Sequence, residues 1–242
     1  MKLVKLLYFW TMEIRPIAYI RTEFPEKFGV PRQSGLAKGL RGRIVLEPEY
    51  RNPDALRGLE GFSHIWLIWE FSANRRINSW QPTVRPPRLG GNAHIGVFAT
   101  RSPFRPNPLG LSCVKIEGIE LSSEEGPVIT VRGADLMDGT PIYDIKPYIK
   151  YADSRPEAVC GYVDNLEERS LKVIFPPELS SQVPDRSVIP ALMDVLRLDP
   201  RPSYHDDPHR IYGLSFCGLN VRFRVEADVL TITAIERDDC RI

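Results

Sequence analysis

Long apolar runs, paired cysteines and glycine-rich nucleotide fingerprints are all scarce in this chain of 242 residues. The opening Met1-Lys-Leu-Val-Lys-Leu-Leu-Tyr-Phe-Trp10 is short, is broken by Lys5 and has no small-residue cleavage site. It reads as an extension, residues 1–11, ahead of a domain that starts at Met12, and nothing else is apolar for long enough to span a membrane. Cys113, Cys160, Cys217 and Cys240 form no CxxC pair and their spacing suits neither zinc nor a disulfide framework, so they read as reduced thiols of a cytoplasmic protein. No GxGxxG follows a strand-like run, which removes the usual dinucleotide fingerprint. Neither a nucleophile elbow nor a Ser/His/Asp order is present. His64 lies in an apolar strand and reads as a core residue. His205-Asp-Asp-Pro-His209 imitates a metal cluster, but Pro208 breaks any helix that would align the pair, so no metal is expected.

Acidic residues are missing from one long stretch. Between Phe71 and Ile116 there is no Asp or Glu, although Arg75, Arg76, Arg85, Arg88, Arg101, Arg105 and Lys115 all lie there. Glu117, Glu120, Glu124, Glu125, Asp135, Asp138 and Asp144 follow directly. A chain of net charge +1 can thus present a basic face to an anion and an acidic rim to a cation.

A hydrophobic fraction of 43% is ample for a packed core. Runs rich in Ile, Val, Phe and Tyr predict strands at Ile14–Arg21, Arg43–Leu46, His64–Phe71, Ala93–Thr100, Ser112–Ile119, Val128–Arg132 and Ile142–Tyr148. Gly, Pro and Asn punctuate them, which indicates a barrel or sandwich rather than alternating βαβ units. Asn52 as N-cap and Pro53 at the first helical position predict one short helix to Leu59. After Tyr151, Ser187–Leu198 has helical spacing with Pro190 in its first turn, and Arg210–Phe216, Asn220–Glu226 and Val229–Glu236 read as three strands. The expected architecture is mainly β: a barrel over 12–152 and a smaller α+β appendage over 153–242.

Four loops carry chemistry. Thr100-Arg-Ser-Pro-Phe-Arg-Pro-Asn-Pro-Leu-Gly110 is stiffened by Pro103, Pro106 and Pro108, so Arg101 and Arg105 sit on a rigid support, suited equally to an anion or to a plain barrel connection. Trp80-Gln-Pro-Thr-Val-Arg-Pro-Pro-Arg-Leu-Gly-Gly-Asn92 combines an aromatic ring with Arg85 and Arg88, as single-stranded RNA binding requires and as ordinary basic loops also do. Asp135-Leu-Met-Asp138-Gly-Thr-Pro141 is a hairpin turn whose carboxylates could also face a cation or a ribose. Gly29-Val-Pro-Arg-Gln-Ser-Gly35 lets a ligand approach the backbone, as any Gly/Ser loop would.

Together these segments resemble the TsaA/TrmO-type family. The resemblance is carried by Val30-Pro-Arg-Gln-x-Gly-Leu36, Gly58-Leu-Glu-x-Phe-Ser-His64, Pro82–Asn92, Val97-Phe-Ala-Thr-Arg-Ser-x-Phe-Arg-Pro-Asn-Pro108 and Asp138-Gly-Thr-Pro-x-x-Asp-Ile-Lys-Pro-Tyr148. In the appendage it rests on Asp199-Pro-Arg-Pro-x-Tyr204 and Asn220-Val-Arg-x-Arg-Val225. It implies a TsaA-like closed β-barrel, S-adenosyl-L-methionine as cofactor, a homodimer, and methylation of N6 of N6-threonylcarbamoyladenosine at position 37, in the tRNA anticodon loop. The cofactor contacts it implies fall on Gln33, Ser34, Gly35, Phe71, Ser72, Arg101, Leu111, Asp135, Leu136, Met137 and Asp138. Ser72 departs from the histidine expected there. Arg75, Arg76, Arg85, Arg88 and Arg105 are the candidates for tRNA phosphates, and no single general base stands out. Two other readings are an RNA-binding barrel without catalysis and a methyltransferase acting on a small molecule.

Overall fold

The structure is a computed structural model that describes residues 12–74, 80–90, 92–166, 170–202 and 207–237. The extension 1–11, Arg75, Arg76, His205 and Cys240 therefore lie outside the described residues. In chain order the strands are β1 (Ala18–Thr22), β2 (Arg41–Leu46), β3 (His64–Glu70), β4 (Thr83–Val84), β5 (Ile95–Gly96), β6 (Leu109–Ser123), β7 (Gly126–Arg132) and β8 (Thr140–Pro147). The short helix α1 (Lys150–Asp153) follows, then β9 (Lys172–Ile174), α2 (Pro177–Ser180), α3 (Ile189–Arg197), β10 (Tyr212–Phe216), β11 (Leu219–Glu226) and β12 (Val229–Arg237).

Six strands close into a barrel in the order β1-β2-β7-β6-β3-β8, with β8 returning to β1. Strict alternation drives the closure. In β3, Ile65, Leu67 and Trp69 are buried while His64, Trp66, Ile68 and Glu70 are only partly covered. Ile20, Ile44, Val114, Ile129, Val131 and Ile142 fill the same interior, because a barrel this narrow encloses side chains rather than a channel. Each such fully buried aliphatic side chain contributes roughly 1.5–3 kcal/mol.

Local departures from expectation have local causes. The segment after Asn52 caps as expected, Asn52 Oδ1 accepting from Asp54 N–H at 3.0 Å, but it forms a single 3₁₀ turn, Pro53–Leu56. Gly58, in the left-handed region, redirects the chain before an α-helix can grow. The strand expected over Ala93–Thr100 shrinks to Ile95–Gly96, paired only with β4. Val97 then turns into the interior, and Arg105 bonds the Val97 and Thr100 carbonyls, holding the chain in a 3₁₀ turn instead of a ladder. His64 is not a core residue: it sits on the outward face of β3, its Nδ1 2.9 Å from Ser63 Oγ.

The appendage is a four-stranded sheet in the order β10-β11-β12-β9, covered by α3. Pro190 occupies the first turn of α3, where its missing N–H leaves no bond unmade. β9 runs parallel to β12 and is too short to show a period of its own. The apolar core of this sheet also takes in Phe24, Ala37 and Leu40, three fully buried residues from the β1–β2 connection, 23–40. That connection thus has its stem in the core of the appendage.

Glu23, at the base of this stem, carries a consequence for stability. Its Oε1 accepts from Arg41 N–H at 2.9 Å, while Oε2 is buried without a partner. Burial raises its pKa despite the Arg41 amide, its own amide and the Arg41 charge. The fold therefore favours the neutral carboxyl. That stabilisation is complete below the ordinary Glu value of about 4.3 and is lost as the pH rises through the raised value. Glu23→Gln should accordingly raise the neutral-pH melting temperature by about 2–4 °C, with the gain vanishing in melts at acidic pH.

Candidate functional site

At one end of the barrel, loops distant in sequence meet around a single carboxylate. Trp69, pointing inward from β3, donates its indole N–H to Ser112 Oγ at 2.9 Å. Ser112, inward on β6 and buried, donates in turn to Asp135 Oδ1 at 2.6 Å. Burial raises the pKa of Asp135, against the opposing Ser112 hydroxyl, its own amide, the Arg101 charge and the Ser34 amide. A largely buried carboxylate with a single charged neighbour gains when a second cation arrives.

The loop 30–36 reaches this carboxylate from the other side. Gly35 N–H donates to Gly133 O at 2.8 Å, and Gly133 N–H to Leu40 O at 2.9 Å, which ties the loop to the end of β7. Both glycines have positive φ, and a Cβ on Gly133 would stand 3.1 Å from the Gly35 backbone, so the close approach requires glycine. Gln33 accepts from Arg101 and donates to the Arg32 carbonyl at 2.6 Å, joining this loop to the proline-braced one. Phe71 N–H donates to Pro108 O at 2.9 Å, and its ring lies 4.3 Å from that of Trp69. Lys27 bonds Asn74 and draws the 71–74 turn, with Ser72 exposed on it, toward the 23–40 connection.

Gln33, Ser34, Gly35, Phe71, Arg101 and Asp135 are therefore neighbours. Others are placed differently. Leu111 projects from the opposite face of β6 to Ser112 and is 53% exposed. Leu136 is buried in the barrel core and offers only its carbonyl, which accepts from Thr22 Oγ1 at 3.0 Å. The Met137 carbonyl is taken up within the turn by Thr140 Oγ1 at 2.8 Å. Asp138 faces β1, accepting from Thr22 N–H at 3.1 Å with Arg21 3.9 Å away. The acidic rim expected from sequence is largely neutralised as well. Glu117 bridges Arg41 and Arg132, which pull its pKa down, Glu125 pairs with Arg43 and Asp144 with Lys146. Asp135 alone of that run is turned into the cluster of loops.

The basic loops also divide. Arg105 is folded back, bonding the carbonyls of Ser102 (3.1 Å), Val97 (3.1 Å) and Thr100 (2.5 Å), so it braces its own loop. Arg85 projects from the β4–β5 hairpin, Nε donating to His94 Nε2 at 3.1 Å. Partial burial and the neighbouring Arg88 lower the pKa of Arg32, partly offset by Asp199. Trp80 and Phe98, 50% and 75% exposed, have ring centroids 6.0 Å apart with the planes tilted by 31°. Among the described residues no group of His, Cys, Asp and Glu could hold a metal, and no helix is long and apolar enough to cross a membrane.

Residues 19–154 match the family described as the tRNA-methyltransferase O N-terminal domain, and residues 168–238 the TrmO C-terminal domain. The chain belongs to the tRNA-methyltransferase O family. Within it, the tRNA (adenine(37)-N6)-methyltransferase of Escherichia coli K12 is 39% identical over 235 residues, covering 93% of this chain and 98% of that one. A Pseudomonas aeruginosa protein named putative S-adenosylmethionine-dependent methyltransferase RcsF is 39% identical over 220 residues, 88% of this chain and 92% of its own. A crystal structure of TrmO from Pseudomonas aeruginosa superposes with a TM-score of 0.76 at 32% identity, over 93% of this chain and 98% of that one. The closed barrel is thus the fold of tRNA-methyltransferase O. Trp69 and Ser112 are supports of the Asp135 cluster that sequence reasoning passed over: one reads as a strand aromatic and the other as a strand serine, and only barrel closure puts both behind Asp135.

Proposed function

We propose that this chain methylates N6 of N6-threonylcarbamoyladenosine at position 37 of tRNA, with S-adenosyl-L-methionine as donor, and that it works as a cytoplasmic homodimer. The reading rests on near full-length likeness to a tRNA (adenine(37)-N6)-methyltransferase together with the meeting of Gln33, Ser34, Arg101 and Asp135. The donor set fits the cofactor chemically: a partly buried carboxylate suits a sulfonium, a guanidinium suits a carboxylate, and the Phe71 ring offers a flat apolar face. When bound, the cofactor supplies an already activated methyl group.

The residues of the chain then have to position and exclude water. Ser112, held by Trp69, fixes the Asp135 carboxylate in one orientation, so its field needs no rearrangement at the moment of transfer. Arg101 and Gln33 lock two loops together. Orientation of this kind is worth roughly 7–11 kcal/mol in favourable cases. Position 37 lies in a single-stranded loop, so its base is accessible at little unstacking cost. Because N6 belongs to a urea-like group, its proton loss has to be assisted or delayed until the methyl group has arrived.

The test is nucleoside mass spectrometry of tRNA carrying the threonylcarbamoyl base, incubated with the chain and S-adenosylmethionine. One added methyl group on that nucleoside is expected. An RNA-binding barrel would give no calorimetric heat with S-adenosylmethionine, and a small-molecule enzyme would bind it and leave the tRNA unchanged. Arg85→Ala should weaken tRNA binding and reduce the salt dependence by about one phosphate contact, while the affinity for S-adenosylmethionine stays as in the parent chain. Filter binding over a salt series reads the first effect and calorimetry the second.

A further inference from the structure

The connection 23–40 has its tip at Asp135 and its stem in the appendage. At the tip are the Gly35–Gly133 hydrogen bond, the Ser34 amide at Asp135 and the Gln33–Arg101 contact. Along the stem, Phe24 meets the ring edge of Phe216 at 5.4 Å, and Glu23 O accepts from Cys217 N–H at 3.1 Å. Gly29 lies so close to Leu214 that a Cβ there would collide with its side chain. Gly39 N–H donates to Asp194 Oδ2 at 3.1 Å, and a Cβ on Gly39 would stand 2.9 Å from the Ala191 Cα. The two ends of the stem also bond the barrel, Asp138 N–H donating to Phe24 O at 2.8 Å and Gly133 N–H to Leu40 O at 2.9 Å, but its buried apolar side chains belong to the core of the appendage.

We infer that the appendage is a positioning element of the cofactor loop, and that Asp194 on α3 is a positioning residue for the 30–36 tip through its bond to Gly39. The inference rests on the reading of the Asp135 cluster as the S-adenosylmethionine pocket. The physical argument is leverage. A glycine-containing loop has many conformations of similar energy, and a binding-competent population reduced by some factor weakens apparent affinity by that same factor. A charge-assisted bond in a partly buried place is strong enough to change such a population about tenfold. Asp194 Oδ1 also pairs with Arg197 at 3.3 Å, which leaves Oδ2 aimed across the interface at Gly39.

The experiment uses the full chain and two readouts, hydrogen exchange over residues 30–36 without ligand and the calorimetric Kd for S-adenosylmethionine. Asp194→Ala is expected to speed exchange over 30–36 about tenfold and to raise Kd about tenfold, while β3 and β6 exchange as in the parent. Asp194→Asn keeps an acceptor for Gly39 and should restore both readouts to within about twofold. In turnover, the effect should fall on KM for S-adenosylmethionine and not on KM for tRNA. If Asp194→Ala proves globally unstable, Phe216→Leu serves instead. It keeps the core apolar, removes the ring edge against Phe24, and should move both readouts in the same direction. Unchanged exchange and unchanged Kd in a folded variant would overturn the inference. Should the parent chain itself fail to bind S-adenosylmethionine, the proposed function falls, and hydrogen exchange alone decides whether the appendage orders the loop.

Discussion

Asp135→Asn should lower methyl transfer by at least about 100-fold, or roughly 2.7 kcal/mol of transition-state stabilisation, and leave the chain as stable as before or more so. Burial raises the Asp135 pKa, so the empty fold favours the uncharged form. That contribution to stability is present below the ordinary Asp value and is lost as the pH rises through the raised one. An amide of the same shape still accepts from Ser112 and has no charge to desolvate, which is why no loss of stability at neutral pH is expected. A bound cation reverses the balance, because it interacts with the carboxylate and hardly with the amide. S-adenosylmethionine affinity should therefore weaken as the pH falls through the raised Asp135 value, a trend that the Asn variant should lack. Steady-state kinetics and thermal melts of the same preparation check both halves. A variant that melts several degrees lower and yet turns over normally would refute the reasoning.

Gly110→Ala should damage the same site from behind. The Gly110 α-carbon lies against the Trp69 indole, and a Cβ there would overlap the fused edge of the ring. Trp69 is 7% exposed and packed within the barrel core, so the indole has to tilt. Overpacking of this kind costs about 1–3 kcal/mol. Tilting also moves the indole N–H away from Ser112, whose hydroxyl orients Asp135. The expected result is a lower midpoint in urea together with a raised KM for S-adenosylmethionine. Relief by Trp69→Phe, which shortens the ring but cannot donate, should return stability and not KM. If Gly110→Ala changed neither quantity, the packing account of β3 against β6 would be wrong.

The barrel was legible because period-two alternation survives in single strands. His64-Ile-Trp-Leu-Ile-Trp-Glu70 announces its buried face residue by residue, and β11 does so with Val221, Phe223 and Val225. Two-residue strands such as β4 and β5 carry no such period, so the segment after Ala93 read as longer than it is. The site was legible only as a set of loops. Sequence cannot tell which side of a turn each carboxylate takes, and Asp135 and Asp138, on one short turn, face Ser112 and Thr22 respectively. Nor does an arginine announce whether it reaches outward: Arg105 looks like Arg85 in a basic loop, yet it is bonded to three carbonyls of its own segment. Least visible was the stem of the 23–40 connection. Phe24, Ala37 and Leu40 are separated from α3 by some 150 positions, and nothing local marks them as part of its core.

The proposed function requires a pocket for a positively charged methyl donor centred on Asp135, the carboxylate of its run that is held by Ser112 beside the 30–36 loop. Calorimetric titration of the full chain and of its Asp135→Asn variant with S-adenosylmethionine tests this most directly. Saturable binding of about one molecule per chain is predicted for the parent, with affinity at least about tenfold lower in the variant. Equal affinity in the two, or no binding heat from the parent, would contradict it.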